Sequence, residues 1–573
     1  MTLQPTSSHR PWTAFYLPGT KAEIEESPFR NLAEMVRISA EKYSAQTAFA
    51  LSMPNGMTGE LSYAEVERLS DEFAVYLRET AGCRLGDRVA IQMPNCLAYP
   101  IAAFGILKAG CILVNVNPLY TASEMGFQFR DSGAKVLVVI DLFADKLPDA
   151  LPGSPVETTV VVRVTDFFPV LQGTLIRAVQ KYVKKQIPTL TLAHTRFPDA
   201  LKQGRASLGT GSLDLSRYLS EVGPDSVAVL QYTGGTTGVS KGAMLTHGNL
   251  MANLFQVLAF VGHVLKPGEE CILTALPLYH VFAFTVNLLL FHFLGAKNVM
   301  VPSPRPLRNL KPAFGSEPIS VFTGVNTLFN GLCGEQWFAQ APPPGLKASI
   351  AGGMALQKAV AEKWVRTERS PIIEGYGLTE SSPVLTLNPL GGEVRPETIG
   401  LPMPSTDIVC LDDDGKPVPS GTPGELCARG PQVMKGYWNR PDETAKVLID
   451  GWLHTGDVAT RDDDGYFRIV DRKKDMILVG GFNVYPNEIE DCLMTDPRVH
   501  EVAVIGVTEG DAGEAVKAFV VRKDPTLTAE DVKNHCRTTL TGYKIPRYVE
   551  FRAELPKSPV GKILRRELRN REG

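Results

Sequence analysis

Between Tyr232 and Ala243 the chain reads Tyr-Thr-Gly-Gly-Thr-Thr-Gly-Val-Ser-Lys-Gly-Ala, and this stretch constrains everything around it. The apolar run Ser226–Gln231 before it reads as a buried strand, and Leu245–Asn253 after it reads as the start of a helix. Gly234, Gly235 and Gly238 allow backbone N–H groups to converge on one point without Cβ obstruction. Thr233, Thr236, Thr237 and Ser240 add hydroxyl donors, and Lys241 adds a mobile positive charge. Such a set suits a polyphosphate. It is not the Walker loop, because Ser240 precedes the lysine and Gly242 follows it. The plainer alternative, a flexible Gly/Thr surface loop, leaves the order of hydroxyls and lysine unexplained.

Short apolar runs alternate with helical patterns through the first part of the chain. Arg88–Met93, Cys111–Val116 and Lys135–Ile140 are expected as strands, as are Cys271–Leu278, Pro318–Val325, Ala348–Gly353 and the run from Ile372. This rhythm predicts an α/β fold with parallel-type sheets flanked by helices. Residues 30–80 read as helical, and 400–470 as a β-rich subdomain with hairpin turns at Asp414-Gly415 and Asp464-Gly465. The charge run Asp471-Arg-Lys-Lys-Asp475 divides the chain into a large N-terminal domain, 1–470, and a small α+β C-terminal domain, 476–573, with 471–475 as the hinge. Thr528 and Asp531 pattern as a capping box in that small domain.

A chain of 573 residues is too long for one core. Its net charge of -3 offers no domain-wide basic excess for nucleic acid. Nine scattered cysteines, an odd number with no CxxC pair, predict reduced thiols and no zinc site. Met1–Arg10 shows no secretory pattern, so a cytoplasmic location is expected. The apolar segment Val281–Leu294 is too short to span a bilayer and is expected as a core helix. One segment stands apart. Between 163 and 205 there are eight Lys/Arg against Asp166 and Asp199, and Leu171, Leu175, Val179, Tyr182 and Val183 share a helical face beside Arg177, Lys181, Lys184 and Lys185. That pattern fits either a solvated helix covering the sheet or peripheral docking on the cytoplasmic face of an anionic membrane.

The Tyr232–Ala243 stretch resembles the phosphate-binding loop of the adenylate-forming superfamily of acyl-CoA synthetases, luciferases and peptide-synthetase adenylation domains. Gly375-Tyr-Gly-Leu-Thr-Glu380 and Gly451-Trp-Leu-His-Thr-Gly-Asp457 are similar to its further signatures. The resemblance implies that Gly375, Tyr376 and Gly377 adjoin adenine, with Tyr376 stacked on it. It gives Thr379 and Glu380 to the α-phosphate and Mg²⁺, with Glu380 as the metal ligand, a role that suits a hard-oxygen donor. Asp457 would accept the ribose hydroxyls and Arg472 would contact the ribose. Gly353, in Ala351–Met354, would border adenine and the acyl chain. Lys562, in Pro556–Arg565, would bridge carboxylate and α-phosphate, and Lys474 would be the hinge about which the C-terminal domain swings. Gly481 would line the pantetheine path, with Gly480 standing where many relatives carry Ser.

Over nearly the whole chain the sequence is most similar to the long-chain fatty-acyl-CoA synthetases of bacterial β-oxidation, notably at Asp471–Val479 and Phe482–Glu490. The implied cofactors and substrates are ATP, Mg²⁺, coenzyme A and a fatty acid, and the family leaves room for a homodimer. His280, Phe284, Val325 and Met354 are candidates to line an apolar acyl tunnel. Alternatives at this point are a ligase that loads a carrier protein, a medium-chain or aryl substrate, a luciferase-like oxygenase, and a lipid-binding protein that has lost catalysis.

Overall fold

The computed structural model describes residues 10–209, 215–233, 240–368, 370–479, 482–508, 514–558 and 561–569. Gly234, Gly235, Thr236, Thr237, Gly238 and Gly481, all expected at binding sites, lie outside them, as does Gly480.

Two large sheets dominate. The first has seven strands, and its centre is parallel: Arg88–Gln92 pairs with Ile112–Asn115 and Ala134–Ile140, and Ile112–Asn115 pairs with Val227–Thr233. The second has nine strands, with Cys271–Thr274, Lys297–Met300, Val321–Gly324, Ala348–Ala351 and Ile372–Gly377 parallel in its middle and antiparallel strands at both ends. These strands are nearly continuous apolar runs because helices cover them. The helical stretch Ala283–Leu290 is buried throughout, as expected for a core helix.

A third, five-stranded antiparallel sheet holds Asp407–Leu411, Gly424–Arg429, Trp452–Arg461 and Phe467–Arg472. In the C-terminal part, Val499–Thr508, Glu514–Arg522 and Tyr548–Arg552 form a three-stranded sheet under the helices Pro486–Met494 and Ala529–Arg537. The capping box at Thr528 and Asp531 is present. Ile477, Ile489, Val504, Val520 and Val532 give this part a hydrophobic cluster of its own.

Three local expectations are corrected. Residues 30–80 are not all helical, because Thr47–Ser52 and Thr58–Ser62 are strands between the helices Leu32–Lys42 and Tyr63–Val75. Thr47–Ser52 is buried by pairing with Lys297–Met300, a partner far away in sequence. The Gly/Thr loop does not lead directly into a helix: Lys241–Thr246 is a strand, antiparallel to Val227–Thr233, and the helix begins at His247 behind a Thr246/Asn249 capping box. Finally, the apolar face of Val170–Val183 does not cover the sheet. Leu171 is 87% and Val183 74% exposed.

Candidate active site

The loop begins and ends on one hairpin, with Thr233 paired to Lys241 and the Ser240 hydroxyl donating to the Thr233 carbonyl at 2.6 Å. A crossing segment fixes this edge. Met244 N–H donates to Gly436 O at 2.9 Å, and Trp438 N–H donates to Gly242 O at 2.8 Å. That crossing brings in two residues the sequence reading missed. Lys241 is ion-paired with Glu443 and sits over the Tyr437 ring, 5.3 Å from its centre. The Tyr437 hydroxyl donates to Glu380 Oε1 at 2.6 Å. The loop lysine and Glu380 are therefore two sides of one polar cluster. The stretch Lys435-Gly-Tyr-Trp-Asn-Arg-Pro-Asp-Glu443 carries a Gly, aromatics and charges between two β patterns, a composition that could have marked it as a site loop.

Thr379 and Glu380 stand on a single turn, Thr379–Ser381, closed by Leu378 N–H donating to Ser381 Oγ at 3.0 Å. The turn follows strand Ile372–Gly377 at the carboxyl edge of the parallel strands, where ligands of α/β sheets collect. Gly377 has a packing reason of its own. A Cβ there would lie 1.8 Å from the Pro383 carbonyl oxygen. Gly375 is similarly pressed, its Cβ position 2.8 Å from Leu387.

Tyr376 donates its hydroxyl to Asp457 Oδ2 at 2.6 Å, and Arg472 Nε lies 3.3 Å from Asp457 Oδ1. Asp457 is 6% exposed. Its backbone is set by Thr455, whose Oγ1 accepts from Asp457 N–H at 3.1 Å and donates to Leu426 O at 2.7 Å. Burial, then Asp457, drives the Tyr376 phenol well above its ordinary range, so it stays a donor.

Lys562 reaches the same place from the far end of the chain. Its turn is closed by Ser558 N–H donating to Lys562 O at 2.7 Å and Lys562 N–H donating to Ser558 Oγ at 3.1 Å. Gly561 packs so closely that a Cβ would lie 2.7 Å from Thr327 Oγ1 and 3.7 Å from Val325 Cγ2. Burial, then the neighbouring Arg472 charge, lowers the Lys562 amine to about 7; Asp457 pulls it back up, and Lys474 adds a smaller downward push. His280 is held neutral, lowered to about 4 by burial and then by Lys562. Lys474 is exposed on the turn after strand Phe467–Arg472.

His280 and Phe284 lie one helical turn apart, with Phe284 N–H donating to His280 O at 2.9 Å. A buried amide network holds this segment between the two sheets: Asn95 Nδ2 donates to Leu276 O at 3.0 Å, its Oδ1 accepts from Leu278 N–H at 2.9 Å, and Gln231 Nε2 donates to Tyr279 O at 2.9 Å. Neither Asn95 nor Gln231 was singled out from sequence. Phe284 is buried within the core, Val325 adjoins the Lys562 turn, and Met354 is half-buried just beyond Gly353, which turns with φ 79°.

Tyr376, Asp457 and Arg472 in one cluster, Lys241 at the end of its strand pair, and Lys562 from the C-terminal part supply the hydroxyl, carboxylate and cationic groups that an adenylate-forming site would use. The chain belongs to the AMP-binding enzyme family: that family's model matches residues 36–438, and the model of the AMP-binding enzyme C-terminal domain matches 488–562. It is 48% identical over 559 residues to a long-chain-fatty-acid–CoA ligase of Escherichia coli O6:H1, with 98% of each chain covered. It is 49% identical over 565 residues to a long-chain-fatty-acid–CoA ligase of Yersinia pestis, again covering 98% of each. A solved anthranilate CoA ligase in complex with anthranoyl-AMP has a TM-score of 0.83 and 26% identity, over 96% of this chain and 98% of that one.

Proposed function

We propose that the protein is an ATP-dependent long-chain fatty acid–CoA ligase that works through an acyl-AMP intermediate. The observation that carries this reading is the convergence of Asp457, Arg472 and Lys562 beside His280, with two N-terminal site elements and one C-terminal lysine at the same spot. The full-length similarity to curated long-chain-fatty-acid–CoA ligases supports the substrate class.

In the first half-reaction a fatty acid carboxylate oxygen bonds to the α-phosphorus of ATP while the bond to the β-phosphate oxygen breaks, and pyrophosphate departs with the bonding electrons. Lys241 and the Gly/Thr loop grip the departing phosphates, Asp457 and Arg472 hold the ribose, and Tyr376 adjoins the base. Lys562, as its ammonium form, offsets charge developing between carboxylate and α-phosphate. The carboxylate of Glu380 and the hydroxyl of Thr379 are hard oxygen donors that suit Mg²⁺, and bound Mg²⁺ would neutralise phosphate charge there. In the second half-reaction the coenzyme A sulfur bonds to the acyl carbon, the carbon–oxygen bond to AMP breaks, and the thiol proton passes to solvent. His280, Phe284, Val325 and Met354 are assigned to the acyl path, and Lys474 to the hinge that withdraws Lys562 between the steps. Gly481 is assigned to the pantetheine path.

We further propose that residues 170–183 dock on the cytoplasmic face of a membrane. Val170, Leu171, Tyr182 and Val183 are exposed beside Lys181 and Lys184, the arrangement of an interfacial helix that captures a lipid substrate. Among the described residues no helix is long and apolar enough to cross a membrane.

The direct test is turnover with ATP, coenzyme A and fatty acids of increasing chain length. AMP and thioester should appear together, with long chains preferred; ADP as product would reject the reading.

A further inference from the structure

Outside the nucleotide site, three side chains with metal-ligand chemistry meet on the five-stranded sheet. Strands Gly424–Arg429 and Trp452–Arg461 run antiparallel with Cys427 opposite His454. Cys427 Sγ lies 3.3 Å from His454 Nδ1, and the same Nδ1 lies 3.6 Å from Glu425 Oε2. One donor atom from each of the three residues falls within 4.8 Å of the others. Thiolate, imidazole and carboxylate are the donors zinc prefers. With ordinary Zn–S, Zn–N and Zn–O bond lengths, a tetrahedral ion separates neighbouring donors by about 3.3–3.5 Å. The Cys427–His454 separation of 3.3 Å falls in that range and the His454–Glu425 separation of 3.6 Å lies just beyond it, so a small side-chain adjustment brings the donors onto one ion.

Cys427 is fully buried, so it is not a nucleophile that a substrate in solvent could reach. Glu425 and His454 are half-buried, which leaves a way in for an ion from their side. We propose that Glu425, Cys427 and His454 bind a zinc-class transition-metal ion, with the Cys427 thiol proton released on binding and the fourth coordination position left to water. This revises the expectation of no zinc site, which rested on spacing along the chain.

The site has a route to the chemistry. Glu425 Oε1 accepts from Gly456 N–H at 3.2 Å, and its Oε2 lies 3.4 Å from Lys473 Nζ. Lys473 N–H in turn donates to Gly456 O at 2.9 Å. Gly456 precedes Asp457, and Lys473 lies between Arg472 and Lys474. An ion that takes Glu425 for itself loosens both the ribose-binding strand and the hinge turn, so occupancy acts as an inhibitory input. This second step rests on the roles proposed above for Asp457 and Lys474, whereas metal binding does not.

The test uses full-length protein freed of metal with a chelator and titrated with Co²⁺, whose bond to a thiolate gives a near-ultraviolet charge-transfer band. One Co²⁺ per chain with that band, displaced by Zn²⁺, is expected for the wild type. Cys427→Ala should lose the band, and His454→Gln should weaken binding with the thiol intact, which covers the case that one variant folds poorly. Absence of the band in the wild type, or equal Co²⁺ affinity in all three proteins, overturns the site. In the activity arm, Zn²⁺ should slow thioester formation by the wild type and spare Cys427→Ala. Equal inhibition of both overturns the coupling, and failure of ligase activity in wild type freed of transition metal and resupplied with Mg²⁺ would instead count against the proposed function.

Discussion

The Tyr376 hydroxyl donates to Asp457 at 2.6 Å, so the ring assigned to adenine and the carboxylate assigned to ribose form one hydrogen-bonded unit. Arg472 closes the other side of the same carboxylate at 3.3 Å. A ribose taking Asp457 in that assigned role would have to displace or share both partners.

Asp457→Asn keeps the shape of this unit and removes its charge. Hydrogen bonds to charged groups contribute about 1.5–3 kcal/mol, so the KM for ATP should rise by about 10-fold or more. Initial-rate kinetics with varied ATP check this, and an unchanged KM would remove Asp457 from the ribose site.

Lys562 gives adenylation a pH dependence of definite sign. Its native pKa is lowered to about 7, by burial first and then by Arg472 and Lys474. The ammonium is the form that offsets phosphate charge, so kcat/KM for ATP should fall as pH rises through about 7. Stability runs the other way. The unfolded lysine titrates near 10.4, so between about 7 and 10.4 the native state binds fewer protons and is progressively favoured. Below pH 7 the full penalty for burying the charge is present. Lys562→Arg should flatten the alkaline limb of the rate profile; an unshifted limb would assign it to another group.

Lys474→Pro should leave acyl-AMP formation near the wild-type rate and block thioester formation, because it stiffens the turn assigned as hinge. Separate pyrophosphate-release and thioester assays resolve the two. Equal loss in both would count against a hinge at Lys474.

Gly377→Ala should destabilise the enzyme as a whole. The new methyl would sit 1.8 Å from the Pro383 carbonyl oxygen, and overpacking of this kind costs about 3 kcal/mol. A lower melting temperature without ligand is the expected result. A normal melting temperature with weak ATP binding would return Gly377 to a purely nucleotide role.

Leu171→Ser together with Val183→Ser should abolish binding to anionic vesicles and leave turnover of a soluble short-chain acid unchanged, because both side chains are more than 70% exposed. Co-sedimentation at low salt reads this directly. Equal vesicle binding by the variant would move the docking surface elsewhere.

Much of the architecture was legible in sequence because the parallel strands are buried on both faces and so read as mostly apolar runs, as in Val136–Ile140 and, broken only by Ser349, Ala348–Ala351. Lys241–Thr246 was not. Its strand identity comes from pairing with Val227–Thr233, while its polar and small residues carry no β signal of their own. Thr47–Ser52 was hidden for the same reason, its partner lying at Lys297–Met300. Tyr376, Glu380, Asp457 and Lys562 were named from motif resemblance; the contacts that join Glu380 to Lys241 through Tyr437, and Asp457 to Arg472, appear only when distant loops meet. The Glu425–Cys427–His454 cluster is the extreme case. Cys427 and His454 are 27 positions apart and become neighbours only through antiparallel register.

The central claim is that Lys562 serves the first half-reaction and leaves before the second. Single-turnover measurement of both steps in Lys562→Ala tests it most directly. Acyl-AMP formation from ATP and fatty acid should fall by about 10²-fold, the loss expected for one electrostatic stabiliser, while supplied acyl-AMP should still be converted to acyl-CoA at close to the wild-type rate. Unchanged acyl-AMP formation, or equal loss in both steps, would contradict the account.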